Sequence, residues 1–522
     1  MNLQEKILKV WRRWSPELLI FAIFLGFGFW INRGVELKGL YMDDLYLWSC
    51  YGNQSFTEYV FPMGSSRFRF LFYLASWLEL FFIGGHVEWM VPFNIILNAG
   101  IAYSIYRMAV SFSDGRRIIS FAVGILYLSS RMAYYQIGQF YGLMESLALW
   151  AALGILWFLY RYVNEKKTGA FLMANLLYFV VCFIHERYMA LLPLLLLAVA
   201  LGFGKGLAPE TVTAETGRNS EPNRAAEPRR SRRRGQSRGA QNKKEAAART
   251  AAAEKVGFHL PKFLLFVITL FVFGAIQMIR LYTIGTLSPA GTGGTDVADT
   301  FKFTDAIGQA LNQVGLVFGR NSGPLHLCIE PFADSPDRIK NLILAAEAIL
   351  GVGVLAAVIG MIRARDEIVC HLKNAVLFLV FITLCIGSSS VTIRVEMRWV
   401  YVAYAAALLF FAYLSRVMGK AGILVLLYGC LIFPVETYYR DNLYLWAPQS
   451  QYNSLAEKTY GTYGDDIFDK EIYIIGKDFE ISDFNAETFL KVYAKGKTKV
   501  PKLQFIDSDM DLKEITDNMV IL

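Results

Sequence analysis

Long apolar runs broken by short polar turns dominate the chain. Stretches near 17–32, 89–108, 117–130, 145–162, 169–184, 188–204, 263–283, 341–362, 372–388, 399–414 and 421–435 each read as a membrane span. A spanning helix needs about 20 apolar residues, and fewer where aromatic or snorkelling side chains finish its ends. A further run, FRFLFYLASWLELFFIGG (68–85), follows Arg67, contains Arg69, and sets Ser76 and Glu79 one helical turn apart. That spacing predicts an amphipathic helix lying on the membrane surface. Beyond Val435 the pattern changes: EIYIIG (471–476), KLQFID (502–507) and NMVIL (518–522) read as short strands between polar helical stretches. The expected architecture is an α-helical polytopic membrane protein of about eleven spans with a small C-terminal α/β domain.

Composition agrees with this pattern. Of 522 residues 55% are hydrophobic and only 18% are charged, with a mean hydropathy of +0.37. Soluble domains run near a quarter charged. The first apolar run ends in INRG, not in a small-residue cleavage site, so it reads as a span and not a removed signal peptide. Six cysteines are scattered without a CxxC pair, which argues against a zinc or redox motif. Cys50 and Cys328 fall in loops assigned to the same outer side, where a disulfide between them is conceivable but nothing in the sequence supports it.

The net charge of +8 would point to nucleic acid if it were spread over a face. Residues 205–262 hold 14 Lys/Arg against 6 Glu and no Asp, which accounts for the whole excess. The run PRRSRRRGQSRGAQNKK within it has no apolar periodicity. It therefore reads as a disordered basic linker held near anionic lipid, and no nucleic-acid partner is expected. Orientation follows from the same charges. With eleven spans and the N-terminus inside, the cytoplasmic segments are SDGRR, RYVNEKK, the basic linker, RARDE and SRVMGK, all carrying Lys or Arg. Counting 68–85 as a span would force the linker across the membrane. The expected divisions are residues 1–204, with a first outer loop at 33–88, then the linker at 205–262, spans at 263–435, and an extracytoplasmic domain at 436–522.

This sidedness leaves ionisable residues clustered at one outer face. They are MDD (42–44), RMAYYQIGQFYGLME (131–145), HER (185–187), the 291–340 segment and RVEMR (394–398). Each is costly near hydrocarbon unless it lines a wet cavity or is paired. Asp43 and Asp44, flanked by Tyr41, Tyr46 and Trp48, suit a general base that accepts a proton from an attacking hydroxyl. Metal binding would need more ligands, and no spacing declares one, so a metal-independent reaction is expected with a divalent cation left open. Arg394 and Arg398, four apart, are expected on one helical face with Glu396 turned away, where two planar forks would bind a phosphate. The alternative is an Arg–Glu bridge that anchors the span.

The acidic pair after the first span, the surface helix, and the continuation SRFRFLFYLASWLELFFIGGHVEWMVPFNIILNAGIAYSIYRMAV resemble the GT-C superfamily of polytopic glycosyltransferases, in particular the protein O-mannosyltransferase-like and bacterial envelope enzymes. The likeness covers roughly residues 15–200 and, more loosely, the later spans. It implies transfer of a sugar from a polyprenyl-phosphate donor to an extracytoplasmic hydroxyl acceptor, such as a cell-envelope glycan, with inversion. On that likeness Asp44 or Asp43 is the base, and Arg394, Arg398 and Arg280 bind the donor phosphate. Tyr135, Gln139, Glu145, His185, Glu186 and Arg187 shape the sugar pocket. The chain departs from the mannosyltransferases in lacking a long folded domain between spans, and it has no WWDYG-like motif. The expected location is a bacterial inner membrane. A transporter or flippase of a lipid-linked saccharide, or a non-enzymatic envelope-assembly protein, are the competing readings. A flippase would want charges along the interior of its spans, where this chain has few.

Overall fold

A computed structural model of the chain describes residues 3–35, 54–65, 67–83, 86–203, 260–288, 295–321, 331–442, 446–475, 503–506 and 516–522, with a few isolated positions between them. Asp43 and Asp44, the 205–259 part of the basic linker, and Cys328 lie outside the described residues.

Each predicted apolar run falls on a helix. In chain order the helices are α1 (Leu3–Ile31), α2 (Phe56–Val60), α3 (Phe70–Ile83), α4 (Met90–Phe112), α5 (Arg117–Ser129), α6 (Arg131–Ile137), α7 (Gly142–Glu165), α8 (Thr168–Ile184) and α9 (Leu192–Leu201). After the linker come α10 (Lys262–Ile284), α11 (Phe303–Val317), α12 (Asp337–Arg363), α13 (Ile368–Ser390), α14 (Met397–Met418), α15 (Ile423–Asp441) and α16 (Trp446–Tyr463). The count of spans is smaller than expected. Among the described residues six helical stretches are long and apolar enough to cross a membrane, or seven if α5 and α6, bent by 52°, form one broken span. Eleven is not reached, because the apolar part of α1, Ser15–Ile31, and α8, with 17 residues, are both too short, α9 has 10, and Met397–Asp441 counts as one 45-residue stretch. That stretch holds two helices, since Gly419 at φ 61° breaks it between α14 and α15. The protein is thus a helical, membrane-type chain.

At the centre of the bundle α14 is buried from Val400 to Leu409. Its alanines 403, 405, 406 and 407 let neighbouring helices approach closely, the packing that associates helices in lipid. A polar knot ties it to α4 and α5. Tyr127 and Tyr401 each donate to Asn98 Oδ1, at 2.8 and 2.5 Å, and Asn98 Nδ2 donates to the Asn94 carbonyl at 2.9 Å. A second, wholly buried link joins α6 to α15: Arg131 Nη1 lies 2.6 Å from Glu436 Oε1, and Arg131 Nη2 donates to the Leu316 carbonyl at 2.7 Å. One turn on, Arg440 donates to Asn32 Oδ1 at 2.8 Å and to the Ile31 carbonyl at 2.9 Å, fixing the chain where it leaves α1.

The helix over the 68–85 run buries its polar stripe. On α3 it is Ser76 and Glu79 that are buried, Ser76 sharing a 2.8 Å hydrogen bond with Tyr59, while Leu78, Phe81 and Phe82 are exposed. The polar stripe faces protein and the apolar stripe faces outward, as suits a helix bordered by lipid and not by water. In the C-terminal region the three strands lie where predicted: β1 (Glu471–Ile475), β2 (Leu503–Ile506) and β3 (Met519–Ile521). All pair in parallel in the order β2-β1-β3, with Ile472 opposite both Leu503 and Val520.

Candidate functional site

The ends of five elements converge on one cavity of about 250 Å³. A short 3-10 turn, Glu186–Leu191, follows α8, and His185 starts it by accepting a hydrogen bond from the Arg187 backbone N–H at 3.4 Å. This capping aims Glu186 and Arg187 in different directions. Opposite them α7 begins at Gly142, where a Cβ would stand 1.9 Å from the Gln136 carbonyl oxygen. Only glycine permits that crossing, and it sets Tyr141, Met144 and Glu145 beside the turn.

Paired charges make the wall. Arg69 grips Glu186 with two hydrogen bonds, Nε to Oε2 at 2.6 Å and Nη2 to Oε1 at 2.7 Å, and its Nη1 donates to Tyr141 at 3.0 Å. Arg67 stands 3.7 Å from the same carboxylate and donates to the Gly291 carbonyl at 2.7 Å. Arg187 pairs with Glu145 and donates to Tyr188 at 2.9 Å, while its Nη1, although buried, has no hydrogen-bond partner among the described residues. His185 lies between the two acids, 3.6 Å from Glu145 and 3.8 Å from Glu186. Arg398 pairs with Glu396 and sets its guanidinium 5.2 Å from the centre of the Tyr141 ring.

Burial makes these pairings matter. Desolvation pushes the Glu186 carboxyl up, but the Arg69 guanidinium, His185 and Arg67 outweigh it and hold the group well below the ordinary value of 4.5. Burial alone lowers His185, and Arg69 and Arg187 lower it further, so the ring stays neutral near pH 7. Desolvation also raises Glu396, yet Arg398 and Arg394 bring it below its usual range. Arg67, Arg69, Arg187 and Arg398 line the cavity with one carboxylate, Glu186, while Glu145 and Glu396 pair Arg187 and Arg398 from behind the wall, so positive charge is in excess on the lining. A buried excess of that sign, with planar donors, is an anion site in waiting.

The sequence-predicted residues divide. Glu145, His185, Glu186, Arg187 and Arg398 come together here. Arg280 lies at the margin, its Nη1 3.3 Å from Met189 Sδ and its Nη2 donating to the Ser288 carbonyl at 3.1 Å. Tyr135 is buried in the core and Gln139 lends its carbonyl to Asn94 at 2.9 Å; neither lines the cavity. The helical-face reading of RVEMR is corrected. Helix α14 starts at Met397, and Glu396 is its extended N-cap at φ −113° and ψ 147°. Glu396 therefore sits between both arginines instead of turning away: Arg394 donates to Oε1 at 2.9 Å and Arg398 holds Oε2. Arg394 is half exposed and outside the cavity. Arg67, Arg69 and Thr392 were not anticipated as site residues. A charge-poor chain with two arginines in SRFRF gave a signal, since buried cations must find acids. Among the described residues no group of three or more His, Cys, Asp or Glu could hold a metal ion.

No protein-family model matches the sequence, and no curated protein matches it.

Proposed function

We propose that the chain is an integral membrane glycosyltransferase that moves a sugar from a polyprenyl-phosphate carrier to an extracytoplasmic hydroxyl acceptor. On this reading the N-terminus is cytoplasmic and the cavity opens at the outer leaflet. One observation carries the proposal: a cavity at the ends of apolar helices, lined by four guanidinium groups and one carboxylate. A phosphodiester headgroup is the anion whose charge and bidentate oxygens such a wall matches, and apolar helices on either side suit its hydrocarbon tail.

The acceptor oxygen would attack the anomeric carbon as the bond to the phosphate oxygen breaks, inverting the carbon. Asp44 or Asp43 would take the hydroxyl proton. The departing phosphate gains a negative charge, which Arg398 and Arg187 would stabilise more strongly than in the bound donor, the differential that lowers a barrier. Glu186 would hold Arg69 and Arg67 in place. Tyr141, braced by Arg69 and Arg398, offers a ring face to the sugar.

The test has two arms. Mass spectrometry of envelope glycans from a deletion strain should lack one monosaccharide, restored by the intact gene. A copy with Asp43→Asn and Asp44→Asn, expressed equally, should fail to restore it. An unchanged glycan profile in the deletion strain would overturn the reading, and restoration by the double variant would remove the assignment of the base.

A further inference from the structure

Two helices that line the arginine cavity and a third that ends at its margin each carry a lysine at the other end. Helix α7 brings Met144 to the cavity and is capped by Lys166; α13 brings Ser388 and Ser389 and holds Lys373; α10 runs from Lys262 to Arg280 near the cavity margin. The 15 residues from Lys373 to Ser388 rise roughly 22 Å along a helix. The lysines thus lie a large part of a bilayer's thickness away from the site described above.

They meet around one point, where the chain leaves α9. Lys262 Nζ donates to the Gly202 carbonyl at 3.1 Å and lies 3.3 Å from the centre of the Phe203 ring. Lys373 Nζ donates to the Phe203 carbonyl. Lys166, held at φ 59°, donates to the Val163 carbonyl at 2.6 Å. All three are half-buried, and among the described residues none has a carboxylate within ion-pair distance, whereas the adjacent Lys167 pairs with Glu165 at 2.7 Å. Burial and the charges of Lys373 and Lys262 lower Lys166 from its ordinary value, so the three repel one another. Carbonyls satisfy some N–H groups of these ammoniums but leave the charge uncompensated.

We propose that Lys166, Lys262 and Lys373 form a binding site for one phosphate group, at the end of the bundle opposite the arginine cavity, and that its source is an anionic phospholipid headgroup. The ring of Phe203 supplies an apolar shoulder for the glycerol region. A basic pocket between helix ends is the form such lipid sites take, and each lysine near the surface contributes about a fivefold gain in affinity for anionic lipid.

Native mass spectrometry of the full chain in neutral detergent tests it, with phosphatidylglycerol, phosphatidylcholine and inorganic phosphate added separately. The intact protein should retain one phosphatidylglycerol in preference to phosphatidylcholine. The triple variant Lys166→Gln, Lys262→Gln, Lys373→Gln should lose on the order of a hundredfold in that affinity. Arginine at the same three positions should keep it, and Lys167→Gln should leave it unchanged. Lys373→Gln alone, which alters an outward end and not the core, should lose about fivefold and serves if the triple variant does not fold. Equal retention of the two lipids by the intact protein, or undiminished retention by the glutamine variants, would overturn the site. Saturation by inorganic phosphate alone, with no gain from the lipid, would keep the phosphate site but refute its lipid source.

Discussion

Replacing Glu186 with Gln removes one half of a buried, two-pronged ion pair. Its partner Arg69 is only 3% exposed and keeps two neutral bonds, to Tyr141 at 3.0 Å and to Met144 Sδ at 3.3 Å. Breaking such a pair while leaving the other charge buried costs about 3–5 kcal/mol. At roughly 2 °C per kcal/mol for a chain this large, the apparent melting temperature should fall by roughly 6–10 °C, read by intrinsic fluorescence of detergent-purified protein. The double variant Arg69→Met, Glu186→Met removes both charges together and should recover most of that loss, because desolvation is then no longer charged to either side. The pH dependence has a definite sign. Arg69 and its neighbours depress the Glu186 carboxyl below 4.5, so its stabilisation is present above pH 4.5 and is lost as pH falls through the folded-state value. Glu186→Gln should therefore differ from the intact protein most at neutral pH and converge on it in acid. A melting temperature within a degree of the intact protein at pH 7 would refute the reasoning.

His185 is held neutral, with its folded value well below 6.5, so its burial costs stability progressively as pH falls below 6.5; His185→Gln should flatten the melting profile between pH 6.5 and about 5. Glu436→Gln leaves the fully buried Arg131 without its carboxylate and should cost about 3–5 kcal/mol, visible as loss of the monodisperse peak in size-exclusion chromatography, with Arg131→Met added to it restoring the peak. Gly142→Ala should displace the start of α7, since the new methyl meets the Gln136 carbonyl at 1.9 Å, and should weaken phosphate binding as well as stability.

Local patterns in the chain foretold local structure well. The apolar runs became helices and the three short β-rich segments became strands, because both depend on the hydrophobic period within a window. The site was less legible because its contacts are non-local. Arg69 finds Glu186 across 117 positions, and nothing in either neighbourhood encodes that pairing. The two arginines of RVEMR sit four apart, which suits a helix, but Glu396 ends the extended approach as an N-cap, so the spacing lost its helical meaning. Tyr135 and Gln139 belong to an aromatic, polar stretch that looks like a pocket wall. The 52° bend between α5 and α6 accompanies a Tyr135 buried in the core, and Gln139 spends its backbone carbonyl on Asn94. On α3 the amphipathic period was readable and its direction was not, since the period is the same whichever face meets lipid.

The claim on which the rest depends is that the arginine-walled cavity receives the phosphate of a lipid carrier. The most direct measurement compares retention of a polyprenyl phosphate with that of the matching polyprenol on the purified protein, before and after Arg187→Gln and Arg398→Gln. The account predicts retention of the phosphate form, at least tenfold weaker for each variant at about 1.4 kcal/mol or more per charge-assisted bond lost. Equal retention of alcohol and phosphate, or variants that bind the phosphate as tightly as the intact chain, would contradict it.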